Sequence, residues 1–477
     1  MKRTSGTMSE DITREFTKRC KTEFNSDPIN ILARNTVINT GSLLASTDSN
    51  ETRKVSHIFL NSIKKKDTKA TNQGSSGRCW MFSGLNVFRH NVIEAMGINN
   101  FEFSETYLFF WDKFERSNSF LQFFVESQEK SGSQLTSHIL QTYMTDGGFW
   151  NTFSNLVEKY GVVPKDAMPE TATSGYSEEM NNTLLLRLRA SAALLSNSRK
   201  LSYEKRMKIK EDTMKRVYNI LVKCLGEPPE TFTWFFNRET EFNEDSATAI
   251  PHLTPKMFRE MTIPINTNDF VVLTDMPCLG YYKKFEINHT DNVLGLSKFK
   301  FLNVPNKILK KYAMKSLLKK MPVWFGADVN VGFNPIEATL DDKLVDDTLL
   351  FGDIGSTFTK SDKLKFFSLQ GNHAMTLTGV NINENDLPES WQVENSWSYY
   401  DNETPGEDGF LYMSDSWFTN NMCEIAIHKA FLPKKLVDLL DGPSKILEPY
   451  ECVAPALKIR PMSRPMNYLG MDKKSKK

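Results

Sequence analysis

The stretch that decides the fold is Thr71-Asn72-Gln73-Gly74-Ser75-Ser76-Gly77-Arg78-Cys79-Trp80-Met81-Phe82-Ser83. A turn-rich segment, Gly74 to Gly77, leads straight into a helical pattern. Met81, Leu85, Phe88, Val92 and Met96 recur every three or four residues, so one face of this helix reads as apolar. Ser76 is the expected N-cap and Gly97 the expected stop. Cys79 then falls in the first turn, where free N–H groups and the helix dipole favour an anion. A thiolate is such an anion, and only the thiolate is a good nucleophile.

A cysteine in a helix is ordinarily a small buried hydrophobe. Three features argue against that here. Cys79 sits at a helix start. Arg78 is adjacent. Gln73, six residues upstream, can bring a side-chain amide beside the Cys79 backbone N–H, giving a two-donor oxyanion hole.

Gln73-Gly74-x-x-Gly77-x-Cys79-Trp80 resembles the nucleophile segment of papain-like cysteine peptidases. Secreted members carry a second Cys three residues before the nucleophile. The resemblance implies that this Cys is disulfide-bonded; here the position is Ser76. The variant Ser75-Ser76-Gly77-Arg78-Cys79-Trp80 is similar to the intracellular branch, the bleomycin hydrolase and aminopeptidase C family.

A second segment supplies partners. Gly371-Asn372-His373-Ala374-Met375-Thr376-Leu377-Thr378-Gly379-Val380 is followed by a polar connector, then Trp391-Gln392-Val393-Glu394-Asn395-Ser396-Trp397. Two strands with such a connector predict an antiparallel hairpin. Pairing Gly379 opposite Gln392 brings Asn395 near His373. An Asn carbonyl then accepts the Nδ1–H of His373 and leaves Nε2 for the thiol. Trp397 is expected to shield that bond. Alone, His373 reads as a strand histidine with a structural partner and Asn395 as a turn residue. Taken with Gln73 and Cys79, they have the order of the papain-like tetrad. Cys79 and His373 are 294 residues apart, against about 130–150 in compact secreted enzymes, so this chain must hold insertions.

The rest of the chain agrees. Phe101–Ser127 reads as an aromatic core helix opened by Ser104. Thr145-Asp146-Gly147-Gly148-Phe149-Trp150 resembles the family's glycine loop, which implies that Gly147 and Gly148 bind the substrate backbone. From Arg187 to Lys223 there are eleven Lys or Arg against Glu204, Glu211 and Asp212. Such a run is ordinarily a solvated helical face; a basic surface for nucleic acid is the sharper alternative. From Asp269 onward β-branched and aromatic runs predict strands. Asp408-Gly409-Phe410-Leu411-Tyr412-Met413 resembles a further family strand.

Net charge is +1 over 477 residues, which gives no general pull toward nucleic acid or membrane. Six cysteines are sparse and unpatterned, as for reduced thiols. The first residues lack the apolar core of a secretory signal, and no run approaches a membrane span. No HExxH or Cys/His cluster supports a metal, and no cofactor is expected.

The expected fold is α+β: a papain-like two-lobed cysteine peptidase with a helical lobe and an antiparallel β-barrel lobe. The expected divisions are an arm at 1–70, a helical lobe at 71–177, an inserted basic helical subdomain at 178–260, a β-rich lobe at 261–463 and a tail at 464–477. The expected activity is that of a cytoplasmic cysteine aminopeptidase, with Cys79, His373, Asn395 and Gln73 catalytic and Gly147, Gly148, Trp397 and Gly470 binding substrate. Two alternatives stand beside it: an endopeptidase or amidase on the same scaffold, and a nucleic-acid-binding scaffold whose basic helices bind weakly. The resemblance further implies a homohexamer, peptide substrates with a free N-terminus, and a C-terminal tail lying in the cleft. Met471–Lys477 extends past the family's usual end and is expected to displace the amine-binding carboxylate until it is trimmed.

Overall fold

A computed structural model describes residues 11–64, 68–127, 132–197, 200–238, 246–353, 358–397, 409–451, 453 and 457. Gly470 and the Met471–Lys477 extension lie outside the described residues.

The nucleophile helix spans Cys79–Met96. Its N-cap position is Arg78, with no side-chain cap bond. Ser76 is not the cap, because the glycine-rich loop folds back on itself: the Ser76 hydroxyl donates to the Gln73 carbonyl at 2.7 Å and accepts from Arg78 Nε at 2.8 Å. Gly97 ends the helix in the left-handed region (φ 63°), as its lack of a Cβ permits. Cys79 through His90 are all buried, polar and apolar residues alike. The helix is therefore central, with helices on one side and a sheet on the other, and the apolar stripe understates its burial.

On the helical side lie Glu105–Glu126, opened by Ser104 with its hydroxyl accepting from the Tyr107 N–H, and Trp150–Tyr160. The charged helices Glu178–Asn197 and Tyr203–Leu225 pack here too. Their buried Leu184, Leu188, Leu195, Val217 and Leu221 join the same apolar cluster as Cys79 and Trp80. The 178–260 segment is not helical throughout. Phe232–Arg238 and Ser246–Leu253 form an antiparallel hairpin, which the aromatic alternation around Trp234 favours. Several basic side chains of the segment are committed internally. Arg206 Nη2 donates to the Phe124 carbonyl at 2.7 Å, Lys210 to Gln122 at 2.5 Å, and Lys208 and Lys215 pair with Glu211.

On the other side a mixed sheet runs in the order 445–447, 283–287, 300–303, 270–274, 422–428, 323–327, 373–382, 388–394, 410–414, 339–340 and 333–334. Most neighbours are antiparallel; 445–447 with 283–287, 270–274 with 300–303, and 339–340 with 410–414 are parallel. No pair among the described residues closes this path into a ring. Side chains alternate across it. Phe325, Met375, Ile425 and Ile427 face the helix Asn306–Leu318, while Trp324, Ala374 and Ala426 belong with the nucleophile helix. The N-terminal arm carries short helices and then adds Asn61–Ser62 beside Val380 and Gly379. No described helix is long and apolar enough to cross a membrane.

Candidate active site

The sheet brings the two distant segments together. His373–Ile382 and Pro388–Glu394 form the expected hairpin, with Gly379 opposite Gln392. Its first strand lies on the nucleophile helix: the Ser83 hydroxyl contacts the Met375 carbonyl at 2.6 Å, and the Thr376 hydroxyl donates to the Ser83 carbonyl at 3.0 Å. Asn395, just past the second strand, comes back to His373. Its Oδ1 lies 2.7 Å from His373 Nε2. This reverses the assignment expected from sequence. Nε2 meets the amide, and Nδ1 is the buried nitrogen without a partner among the described residues. Register fixes which residues meet, whereas the ring's rotation is set by packing. Trp397 stacks on the His373 ring at 4.2 Å between centroids and 16° between planes.

Cys79 and His373 are buried, at 0% and 1% exposure. Burial pushes the thiol up to about 12, against the pull of the Ala374, Trp80 and Cys79 backbone amides. Burial also brings the imidazole down to about 4, against the Asn395 hydrogen bond. Each charge alone is therefore costly here. Proton transfer from thiol to imidazole forms both at once, so that each stabilises the other. The Ala374 amide that acts on the sulfur follows His373 directly in the chain.

Arg78 does not act as a free cation beside the thiol. It is fully buried and forms a fork on Glu170, with Nη1 and Nη2 at 2.9 and 2.6 Å from the two carboxylate oxygens. Burial alone would raise the Glu170 carboxyl, but the Arg78 charge and hydrogen bonds from Arg78, Ser174 and Thr106 hold it down to about 2. The pair fixes the loop. Any excess positive potential at Cys79 comes from the helix start, not from its neighbour.

Gln73 is held from two sides. Its backbone N–H donates to the Ser396 carbonyl at 2.9 Å, tying the loop to the Asn395–Trp397 segment. Its side-chain Nε2 donates to the Ser76 carbonyl at 2.7 Å. An amide nitrogen carries two hydrogens, so one remains for an oxyanion.

Asp146 was not singled out by sequence, yet it organises the glycine loop. Its carboxylate accepts from the Gly77 N–H at 3.2 Å, from Asn181 at 2.7 Å and from Ser177, and it pairs with Lys113 at 2.7 Å. Burial would raise it; the Lys113 charge and these bonds hold it down to about 2. Its backbone carbonyl accepts from Trp80 Nε1 at 2.6 Å. The Gly147 carbonyl accepts from Arg116 Nη2 at 2.9 Å. A Cβ on Gly148 would lie 2.6 Å from the Trp80 ring. Glycine there permits close approach of loop and nucleophile helix. The Asp-Gly-Gly run was the available signal for Asp146.

Among the described residues no group of three or more His, Cys, Asp or Glu is placed to hold a metal ion. Among the described residues no cysteine is disulfide-bonded.

A cysteine at a helix start, facing a histidine strand whose ring is held by an asparagine, defines a site of the cysteine-peptidase class. The chain belongs to the Peptidase C1-like family, which it matches over residues 11–454. It is 33% identical over 450 residues to aminopeptidase C of Listeria monocytogenes, covering 93% of this chain and 98% of that protein. It is 34% identical over 441 residues to human bleomycin hydrolase, covering 90% and 95%. The crystal structure of PepW from Lactobacillus rhamnosis HN001 superposes with a TM-score of 0.86 at 31% identity, over 93% of this chain and 99% of that one.

Proposed function

We propose that this protein is a cysteine aminopeptidase using Cys79, His373 and Asn395. The observation that carries the reading is the orientation of His373. Asn395 occupies Nε2, and the buried Nδ1 is left to accept the Cys79 proton. The thiolate attacks the scissile carbonyl carbon, and the oxyanion takes hydrogen bonds from the Cys79 N–H and the second Gln73 amide hydrogen. The carbon–nitrogen bond breaks as His373 passes its proton to the leaving amine. Water then attacks the thioester, giving its proton to His373, and the acid leaves while Cys79 regains the thiol.

The relatives named aminopeptidase C and bleomycin hydrolase support exopeptidase action on peptides. Gly147 and Gly148 would line the substrate backbone, Trp397 would keep water from the His373–Asn395 bond, and the tail near Gly470 would block the acyl side of the cleft. Cysteines outside disulfides accord with a cytoplasmic setting. A hexameric assembly is part of this reading, and light scattering on the purified chain tests it. The function itself is tested with a series of free-amine and N-acetylated peptides, using intact protein and Cys79→Ala. Hydrolysis of free-amine peptides by intact protein alone is expected. Hydrolysis retained by Cys79→Ala would refute the assignment.

A further inference from the structure

His373 is the first residue of its strand, and Ala327, which stands opposite it, is the last residue of Val323–Ala327. Strand ends are where ladders fray, because no further bond holds the pair on one side. Yet His373 must keep its Cα fixed if its ring is to present Nδ1 to Cys79. The Asn395 bond and the Trp397 stack hold the ring at its far edge and its face. Neither holds the backbone from which the ring hangs.

A buried pair just beyond the strand ends does so. Asp328 and Asn372 are 3% and 6% exposed. The Asn372 backbone N–H donates to the Ala327 carbonyl at 3.1 Å, which carries the ladder one residue past His373. Its side chain then closes on the facing segment twice. Nδ2 donates to Asp328 Oδ1 at 2.6 Å, and Oδ1 accepts from the Val329 N–H at 2.9 Å. Asp328 accepts two more bonds, from the Gln370 N–H at 3.0 Å on Oδ2 and from the Asn330 N–H at 3.1 Å on Oδ1. Its own N–H donates to the Asn421 carbonyl at 3.1 Å, on the residue before the strand Met422–His428. Asp328 thus ties the lead-in to His373, at 370 and 372, to the ends of two neighbouring strands. The Ala374 amide that acts on the Cys79 sulfur lies two residues beyond Asn372.

We propose that Asp328 is a positioning residue of the reaction, which acts through Asn372 to fix where His373 stands relative to Cys79. The proposal rests on the peptidase reading of Cys79 and His373. The hydrogen bonds of Asp328 reach neither residue. Burial and the Asn395 hydrogen bond set the titration of His373, so Asp328 acts through place rather than charge. Misplacing a reacting group by about 1 Å can cost on the order of 10²-fold in rate.

The test compares intact protein with Asp328→Ala, Asn372→Ala and the double variant, on a free-amine peptide across pH 4–9, where circular dichroism shows each folded. Each single change should lower kcat by about tenfold to 10²-fold, with KM within about threefold. The double variant should fall no further than the worse single one, since both changes remove the same tie. Multiplied losses, or a lower urea midpoint with unchanged kcat, overturn the proposal and leave Asp328 a structural role only. A plateau of unchanged height whose acid limb alone shifts also overturns it, since that is the mark of a charge acting at a distance. Asn372→Ala spares the bonds of Asp328 to Gln370 and Asn330, and it decides the matter if Asp328→Ala does not fold. A second measurement needs no turnover. The ultraviolet absorbance of the Cys79 thiolate is read against pH, as each protein minus the same protein with Cys79→Ser. His373→Leu sets the level without the ion pair. Intact protein with no more thiolate at pH 6 than His373→Leu refutes the peptidase reading and the proposal with it. Intact protein above that level, with Asp328→Ala as high as intact, overturns the positioning role alone. Asp328→Ala falling toward the His373→Leu level supports it.

Discussion

Arg89, one residue before His90 on the nucleophile helix, holds Glu394 at 2.8 Å, and Glu394 is the residue immediately before Asn395. His90 Nε2 meets the other carboxylate oxygen at 2.7 Å. Arg89 also donates to the Phe101 and Lys69 carbonyls and to Asn100. Burial would raise the Glu394 carboxyl, but His90 and Arg89 keep it below its ordinary range. The helix that carries Cys79 is thereby bolted to the strand that presents Asn395.

Glu394→Ala is expected to leave Arg89 as a buried cation without its counter-charge. Breaking such a pair costs about 3–5 kcal/mol. Urea unfolding would register it as a lower midpoint at unchanged slope. Glu394→Gln, which keeps hydrogen-bond acceptance, should fall in between. Equal stability of all three proteins would show that the bolt contributes nothing.

Gly148→Ala should lower activity through Trp80. The added methyl meets the indole at 2.6 Å, and moving the ring strains the Trp80–Asp146 hydrogen bond. Overpacking of this kind costs about 1–3 kcal/mol. Thermal melting together with kcat on a free-amine peptide would detect both effects. Unaltered melting and turnover would mean that loop and indole can separate freely.

Gln73→Ala is expected to reduce kcat by about 10²–10³ with a smaller change in KM, as for loss of one oxyanion donor. Asn395→Ala should cost less than His373→Ala, since it orients the ring and transfers no proton. Steady-state kinetics on folded variants decides this. An Asn395→Ala enzyme as inactive as His373→Ala would show the roles to be misassigned.

Glu105→Gln should stabilise the protein at neutral pH. Glu105 is buried, and neither carboxyl oxygen has a partner among the described residues. Burial, then Glu102 and Glu170, push its carboxyl well above the usual range. A raised folded value contributes stability that is complete below the unfolded value near 4.3 and is lost as pH rises through the folded one. The gain from Glu105→Gln should therefore grow between pH 5 and pH 8. Melting curves at the two pH values would show it; a gain largest at pH 5 would reverse the argument.

Acid should act in the opposite sense on His373. Its folded value near 4 lies below the unfolded 6.5, so the unfolded chain binds the extra proton between them. Stability then falls as pH drops from about 6.5 to 4, by up to roughly 3 kcal/mol from this group. In His373→Leu that part of the loss should be absent, as urea midpoints at pH 7 and pH 4.5 would record.

The sequence carried the elements whose signals are local. Ser104 before an aromatic run gave a helix start, Gly97 a stop, and the spacing of Gly379 and Gln392 gave the hairpin register. What it did not carry depends on partners far along the chain. The ring orientation of His373 is set by stacking on Trp397. The neutralisation of Arg78 requires Glu170, 92 residues away. Asp146 reads as a turn residue until Lys113, Gly77 and Asn181 converge on it. The helices of 178–225 look like a solvated appendage because their charges outnumber a thin line of leucines, and that line suffices to dock them into the main core.

The separation of the two chemical halves also has a consequence for synthesis. Cys79 emerges 294 residues before His373. At translation rates of about 5–20 residues per second, that is a delay of roughly 15–60 s. The strand that orients the thiol's partner, and the Asn61–Ser62 segment that borders it, pair across more than three hundred positions. A ribosome-bound chain therefore exposes a thiol with no base to activate it. A nascent or prematurely terminated copy would be proteolytically silent toward its neighbours.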